Sequence, residues 1–286
     1  MDIGEWAATR HLNAQYRRLR ELGLETHVAE LEAFGFTVVE DVLSPKDVER
    51  LKVLILEAAQ ERGIDLAQAE GDSFVPFLLF RDQAFEAAVL NPKPLALITY
   101  LLGDSCLLSH VASFLKAPGG RELPLHCDGA DGVPAPFSSY SRVANCNYVL
   151  TDYSEAGGAL AIVPGSHRLC RSPAPGERAL SGPGRNTEAI PVEAKAGSVI
   201  IWHGNTWHGS FRREQPGLRP NLAVFFCRRY MRPLEDYRRH IPPEALERVA
   251  EGTRLEVLLD LRSRYGWGPE GPPPRPSYLE AVSWQA

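Results

Sequence analysis

The chain has 286 residues, 44% of them hydrophobic, enough for one large domain or two modest ones around a sizeable core. Its net charge of -5 comes from mixed charges without long runs of one sign, so nothing in it recommends nucleic acid as a partner. Five scattered cysteines, at 106, 127, 146, 170 and 227, lack C-x-x-C spacing and argue against a disulfide framework or a structural zinc site. Together with an opening segment free of a signal-like apolar run and no stretch of membrane-spanning length, they lead us to expect a soluble, cytoplasmic protein.

In chain order, "FGFTVVEDV" alternates as a short strand does, and "DVLSPKDVERLKVLILEAAQERG" predicts a helix. Its Ser44 is placed as N-cap and Pro45 at the first helical position; Val48, Leu51, Ile55 and Ala58 form an apolar stripe, and Gly63 marks the stop. "DQAFEAAVL" and "PLALITYLLG" predict two further helices, so residues 1 to about 103 form a helical flank. From Cys106 the pattern changes. "CLLSHVASFLKA", "RVANCNYVLTDY", "ALAIVPGSH", "EAIPVEA", "GSVIIWH" and "NLAVFFCRRY" read as strands between Gly- and Pro-rich turns, and strands without intervening helices predict an antiparallel sandwich or barrel. Loops 131–142 and 170–188 are long enough to act as lids. A C-terminal helix from about 242 and a proline-rich tail complete a single predicted domain.

The stretch "PLHCDGADG" places His126 and Asp128 two residues apart, on one face of an extended strand, with Cys127 pointing away as a small apolar filler. A lone His-x-Asp beside Asp-Gly dipeptides is ordinarily an exposed turn. The late segment "SVIIWHGNTWHGSFRREQPGLRPNLAVFF" changes that weighting by adding His203, His208 and Arg219. In a jelly roll, strands distant in sequence are neighbours in space, so one of these histidines can join His126 and Asp128. Two imidazoles and a carboxylate occupy one face of an octahedral ion and leave positions open, as suits non-haem Fe(II) oxygenases; zinc more commonly closes a tetrahedron.

The order H-x-D, then "LTDYSEAGGALAIVPGSH", then "WHGS", then an arginine eleven positions after His208 resembles the phytanoyl-CoA dioxygenase family of Fe(II)/2-oxoglutarate oxygenases, over residues 33 to 265. That resemblance implies a mainly β fold with flanking helices, a double-stranded β-helix of the cupin-like jelly-roll kind. It also implies that His126, Asp128 and His208 hold iron, that 2-oxoglutarate chelates the metal with O2 as second co-substrate, and that Arg219 receives the far carboxylate. A guanidinium fork suits that role by shape and permanent charge. Ser210, on the same strand face as His208, is placed to add a hydroxyl there, and Asn147 to donate to the keto-acid end. Related halogenases carry a small residue at the position of Asp128, so the carboxylate favours hydroxylation of an unactivated C–H bond of a small organic metabolite over halogenation.

His203 competes with His208 but lacks the following Gly-Ser and the step to arginine. His110 is expected as a core or pocket-wall histidine, His167 as a turn residue, and Arg212 and Arg213 as solvent-facing. Trp202, Trp207, Phe225 and Phe226 are expected in the core, and Phe137, Tyr140 and Arg142, on the loop after the H-x-D motif, as substrate contacts. The alternative to the oxygenase is a cupin-like metallohydrolase or isomerase that uses the same ligands without 2-oxoglutarate; Arg219 separates the two.

Overall fold

A computed structural model describes residues 7–67, 69, 71–130 and 133–261. The turn at Asp131 and the proline-rich tail lie outside these residues. Helices α1 (Ala7–Glu21) and α2 (Glu25–Phe34) precede strand β1 (Phe36–Val39), and α3 (Pro45–Glu61) follows it. The α3 start is built as its sequence predicts: Pro45 opens the helix, and Ser44 Oγ accepts a 3.2 Å hydrogen bond from Asp47 N. After β2 (Asp72–Val75), which the sequence reading missed, come α4 (Gln83–Val89) and α5 (Pro92–Leu102).

The β region then runs β3 (Leu107–Lys116), β4 (Leu123–His126), β5 (Val143–Val149), β6 (Leu160–Ile162), β7 (Ile190–Pro191), β8 (Val199–His203), β9 (His208–Ser210) and β10 (Asn221–Cys227). These strands form two antiparallel sheets, ordered β1-β8-β5-β10-β3-β2 and β4-β9-β6-β7. The result is a double-stranded β-helix with flanking helices.

Strand alternation divides the larger sheet's residues between two environments. Ala144, Cys146, Tyr148, Val199, Ile201, Leu222, Val224 and Phe226 face the helices and share one core with Leu51, Ile55, Phe85 and Leu97. Asn145, Asn147, Ile200, Trp202, Ala223 and Phe225 occupy the alternate positions, which look across to the second sheet. The smaller sheet divides in the same way. Leu125, Cys127, Ala161, Trp207 and Phe211 turn outward into a separate cluster, while His126, His208 and Ser210 turn toward the larger sheet.

Two predicted features differ. The C-terminal helix is broken into α7 (Pro243–Arg248) and α8 (Arg254–Leu259), after a short α6 (Tyr237–His240), because Gly252 between them adopts a left-handed φ of +76°. The loop 170–188 is no free lid: Leu125 N donates to Arg178 O, Leu180 N to Glu122 Oε1, and Leu180 is buried in the outward cluster of the smaller sheet. No described helix is long and apolar enough to cross a membrane.

Gly209 sits where β4 and β9 approach most closely, and a Cβ there would lie 2.2 Å from Leu123 O. Gly209→Ala is therefore expected to push the strands apart and destabilise the chain by about 1–3 kcal/mol, seen as a lower denaturant midpoint. Gly252→Ala, which meets no neighbouring atom, should show only the cost of a left-handed backbone, about 1–3 kcal/mol, with the β4–β9 pairing undisturbed.

Candidate metal centre and co-substrate site

β4 and β9 pair antiparallel with His126 directly opposite His208, so both imidazoles project from the same face, their ring centroids 4.3 Å apart. Asp128 lies beyond the end of β4, at the start of a 3₁₀ turn covering Asp128–Ala130, and not on the strand as the spacing suggested. The turn still brings the carboxylate to the histidines. Its Oδ1 is 3.6 Å from His126 Nε2, its Oδ2 is 3.4 Å from His208 Nε2, and one donor atom from each of the three residues lies within 4.8 Å of the others.

Backbone carbonyls orient both rings. His126 Nδ1 donates to Pro124 O and His208 Nδ1 to Thr206 O, each at 3.0 Å, which leaves the Nε2 lone pairs aimed at the carboxylate. Burial pushes the His208 imidazole below its ordinary pKa, against the opposing pull of Asp128, and favours the neutral donor form. Asn145 Nδ2 donates to Asp128 Oδ2 at 2.6 Å and fixes the carboxylate from the facing sheet. Two ring nitrogens and an oriented carboxylate are a fitting donor set for a divalent ion. His126 is the open side of the group, its side chain 41% exposed against 7% for His208.

His203 is no part of this group. It follows the outward alternation of Val199 and Ile201, accepts from Asn205 N through Nδ1 at 3.0 Å and lies 5.3 Å from the His167 ring. Burial lowers its pKa to about 4.

One ladder step from His208 along β9, about 7 Å away, a second polar group collects on the same face. Ser210 Oγ accepts from Lys116 Nζ at 2.9 Å, and Lys116, 2% exposed, also donates to Asp72 Oδ2 at 3.1 Å. Arg219 pairs with Lys116 through both backbone hydrogen bonds, is 4% exposed, lies 4.5 Å over the Tyr153 ring and has a buried Nε without a partner among the described residues. Burial pushes the Lys116 ammonium below its ordinary pKa; Asp72 opposes this and Arg219 adds to it. Gly158, at φ +77°, makes room for the lysine, because a Cβ there would lie 2.8 Å from Lys116 Cδ. Two buried cations with one half-exposed carboxylate between them leave positive charge uncompensated, which fits a dianionic guest.

Other predicted residues fall elsewhere. Asn147 accepts from Asn221 Nδ2 at 2.7 Å and donates to the Tyr153 hydroxyl at 3.2 Å, so it lies toward the Arg219 end and not at the keto-acid end; the asparagine beside the ligands is Asn145. Phe137 is 7% exposed and packs in the outward cluster with Leu125 and Trp207, because its loop folds over the far face of the smaller sheet. Tyr140 lies against the Arg228 guanidinium at 4.8 Å and borders a separate cleft with His167 and His203. Arg142 keeps a buried Nε with no partner among the described residues. Arg213, expected in solvent, is buried and donates to the carbonyls of Gly157, Pro216 and Gly217, which makes it a loop clamp. Sequence reasoning missed Asn145, Lys116 and Tyr153. Alternation along "NCN" and along β3 carried a signal for the first two; Tyr153 lies beyond a strand end, where alternation says nothing.

The family model described as phytanoyl-CoA dioxygenase (PhyH) matches residues 31–220. The chain belongs to this family, whose members depend on Fe(II) and 2-oxoglutarate. Among curated relatives it is similar to the dioxygenase af480 of Aspergillus fumigatus, at 28% identity with 84% of this chain and 78% of that one covered. It is likewise similar to an ectoine dioxygenase of Nocardia farcinica, at 27% identity with 71% and 78% covered. In fold it resembles HygX of Streptomyces hygroscopicus, solved with nickel and 2-oxoglutarate, at 16% identity and a TM-score of 0.61, with 73% of this chain and 88% of that one aligned.

Removal of the Asn145 amide should leave Asp128 without its fixing donor. Asn145→Ala is expected to weaken Fe(II) binding about 10- to 100-fold in an anaerobic competition titration, with the fold retained by circular dichroism.

Proposed function

We propose that the chain is an Fe(II)/2-oxoglutarate-dependent dioxygenase that hydroxylates an unactivated C–H bond of a small organic metabolite. The observation that carries this reading is the pairing of two sites in the space between the sheets: a His126–Asp128–His208 donor set, and a buried Lys116–Ser210–Arg219 group one ladder step along β9. A five-carbon dicarboxylate is long enough to bridge them. A metal-dependent hydrolase or isomerase would have use for the first group and none for the second.

In this reading His126 Nε2, His208 Nε2 and an Asp128 oxygen hold the metal. Arg219 and Lys116 neutralise the distal carboxylate of 2-oxoglutarate, and the Ser210 hydroxyl, held by Lys116, completes that end. Asn147 sets the Tyr153 ring under Arg219 and so positions the guanidinium. With 2-oxoglutarate and O2, iron supplies an oxidant able to remove hydrogen from carbon. The protein's residues bind and orient the dicarboxylate, keep its far end away from water and leave the His126 side of the metal accessible to the molecule being oxidised. Arg142, with its unspent buried donor, is the remaining substrate-contact candidate of the loop after the motif. The Asp128 carboxylate favours hydroxylation over halogenation; since solved neighbours of this fold include an epimerase and a carbocyclase from nogalamycin biosynthesis, the fold itself does not choose the outcome, and hydroxylation is our proposal.

Anaerobic addition of Fe(II) and then 2-oxoglutarate should produce the visible charge-transfer band of the chelate, and His208→Ala should abolish it while His203→Ala retains it. Arg219→Leu should raise the 2-oxoglutarate concentration needed for half-maximal band intensity about 30-fold or more, since truncating one partner of a buried charge pair costs about 2–5 kcal/mol. A band of unchanged midpoint in Arg219→Leu contradicts the assignment of the distal site.

A further inference from the structure

Asn145, which holds Asp128, lies in a row of directly opposed residues that crosses the larger sheet. It is paired with Trp202 on β8, whose ring is 5.0 Å from His208, and on the other side with Phe225 on β10, which is paired in turn with His110 on β3. From Phe225 the surface is aromatic, through His110 in the same row and then, two ladder steps along β3, to Phe114 and its β2 partner Phe74. The rings of Phe225 and His110 are 5.3 Å apart, His110 and Phe74 6.5 Å edge to face, and Phe74 and Phe114, opposed across β2 and β3, 5.0 Å.

This surface lies on the sheet face that looks toward the metal donors, since the alternate residues Leu108, Val111, Leu115 and Val75 are buried in the helix-covered core. Its outer half is nevertheless open: Phe74 is 50% and Phe114 45% exposed, although each packs on another ring. Adjacent large apolar rings left to water on the face that carries a reactive centre mark a ligand surface more than a folding requirement. Phe225 and His110 lie one and two strands from Asn145, and centroid steps of 5.3 and 6.5 Å carry the surface on to Phe74 at the sheet's edge, about 12 Å at most from Phe225.

The surface also carries no charge. Three members are phenyl rings, and burial holds the His110 imidazole near a pKa of about 4, so it is neutral at pH 7 despite the nearby Asp128. The charged group one ladder step beyond Phe74 and Phe114, Lys116 with Asp72 and Arg219, is matched in the loaded enzyme by the far carboxylate of the dicarboxylate, as in the reading above. A charged molecule laid on these rings would lose hydration without meeting a counter-charge.

Resting on the dioxygenase reading above, we infer that Phe74, His110, Phe114 and Phe225 are the wall on which the primary substrate lies, and that this substrate is an uncharged, predominantly apolar carbon skeleton up to about 12 Å long. Its oxidised carbon lies at the Asn145 end and its far end on Phe74 and Phe114.

The test is a fluorescence titration of the full chain, loaded anaerobically with Fe(II) and 2-oxoglutarate, using neutral 1-aminoanthracene and the anion anthracene-2-sulfonate. The inference expects 1-aminoanthracene to bind at least tenfold more tightly than the sulfonate. Phe74→Ala/Phe114→Ala should weaken the neutral probe at least tenfold, and Phe114→Leu should restore most of that loss when Phe74 is kept. Phe34→Ala, which removes an equally exposed ring elsewhere (48%), should change nothing. Equal binding of both probes, or wild-type affinity in the double alanine variant, overturns the inference, as does failure of the neutral probe to bind while the 2-oxoglutarate band forms normally. Absence of the band in the unaltered chain overturns the underlying oxygenase reading instead. Retention of the band in every variant confirms that each is folded.

Discussion

The register between β4 and β9 is the constraint on which the site depends. Opposing His126 to His208 puts two imidazoles on one face at contact distance, and a slip of one residue would turn one of them into the outward apolar cluster. That register is protected by the close approach at Gly209 and by the burial of Leu125 and Trp207 on the far side. The ring orientations then follow from two carbonyl oxygens, those of Pro124 and Thr206, which belong to the same two chain segments as the rings they hold. The metal geometry is thus a consequence of strand pairing and needs few dedicated contacts.

The larger sheet supplies what the smaller one lacks. Its concave face is zoned along the strands: Asn145 and Trp202 at the donor set, the small Ala112 and Ala223 one ladder step further, and Lys116 and Arg219 beyond them. Small residues between the polar zones leave space where a bridging dicarboxylate is required. Burying two cations there is unfavourable, and although Ser210 Oγ, Arg121 O and the Tyr153 ring help to satisfy them, Asp72 is the one carboxylate in contact with them among the described residues. This imbalance favours an anionic guest over water and gives binding of the co-substrate an electrostatic driving force. Across the strands from Asn145 the same row turns aromatic at Phe225 and His110, and Phe114 with Phe74 follows along β3 and β2 between Ala112 and Lys116.

Much of this was legible in the sequence. The H-x-D pair, the second "WHGS" histidine and the arginine after it define a pattern in which each residue type has one chemical use, and strand alternation placed Ser210 beside His208 correctly. His110 packs between Phe225 and Phe74 on the sheet face that looks toward the site. What the sequence hid depends on pairing between strands. Nothing local distinguishes Asn145 from Asn147, since both face the site; only the register decides which meets Asp128. Lys116 reads as the charged end of a strand until its backbone pairing with Arg219 buries it. Phe137 and Arg213 were misplaced for one shared reason: loop composition suggested exposure, while one loop covers a sheet face and the other needs a guanidinium to satisfy its carbonyls.

The central claim is that the β4–β9 pairing and the 3₁₀ turn after β4 create the metal site. An anaerobic crystal structure of the chain grown with Fe(II), with anomalous data collected on both sides of the iron edge, measures this most directly. The account predicts a single strong iron peak bonded by His126 Nε2, His208 Nε2 and a carboxylate oxygen of Asp128. A peak at His203 and His167, or none between the three predicted donors, would contradict it.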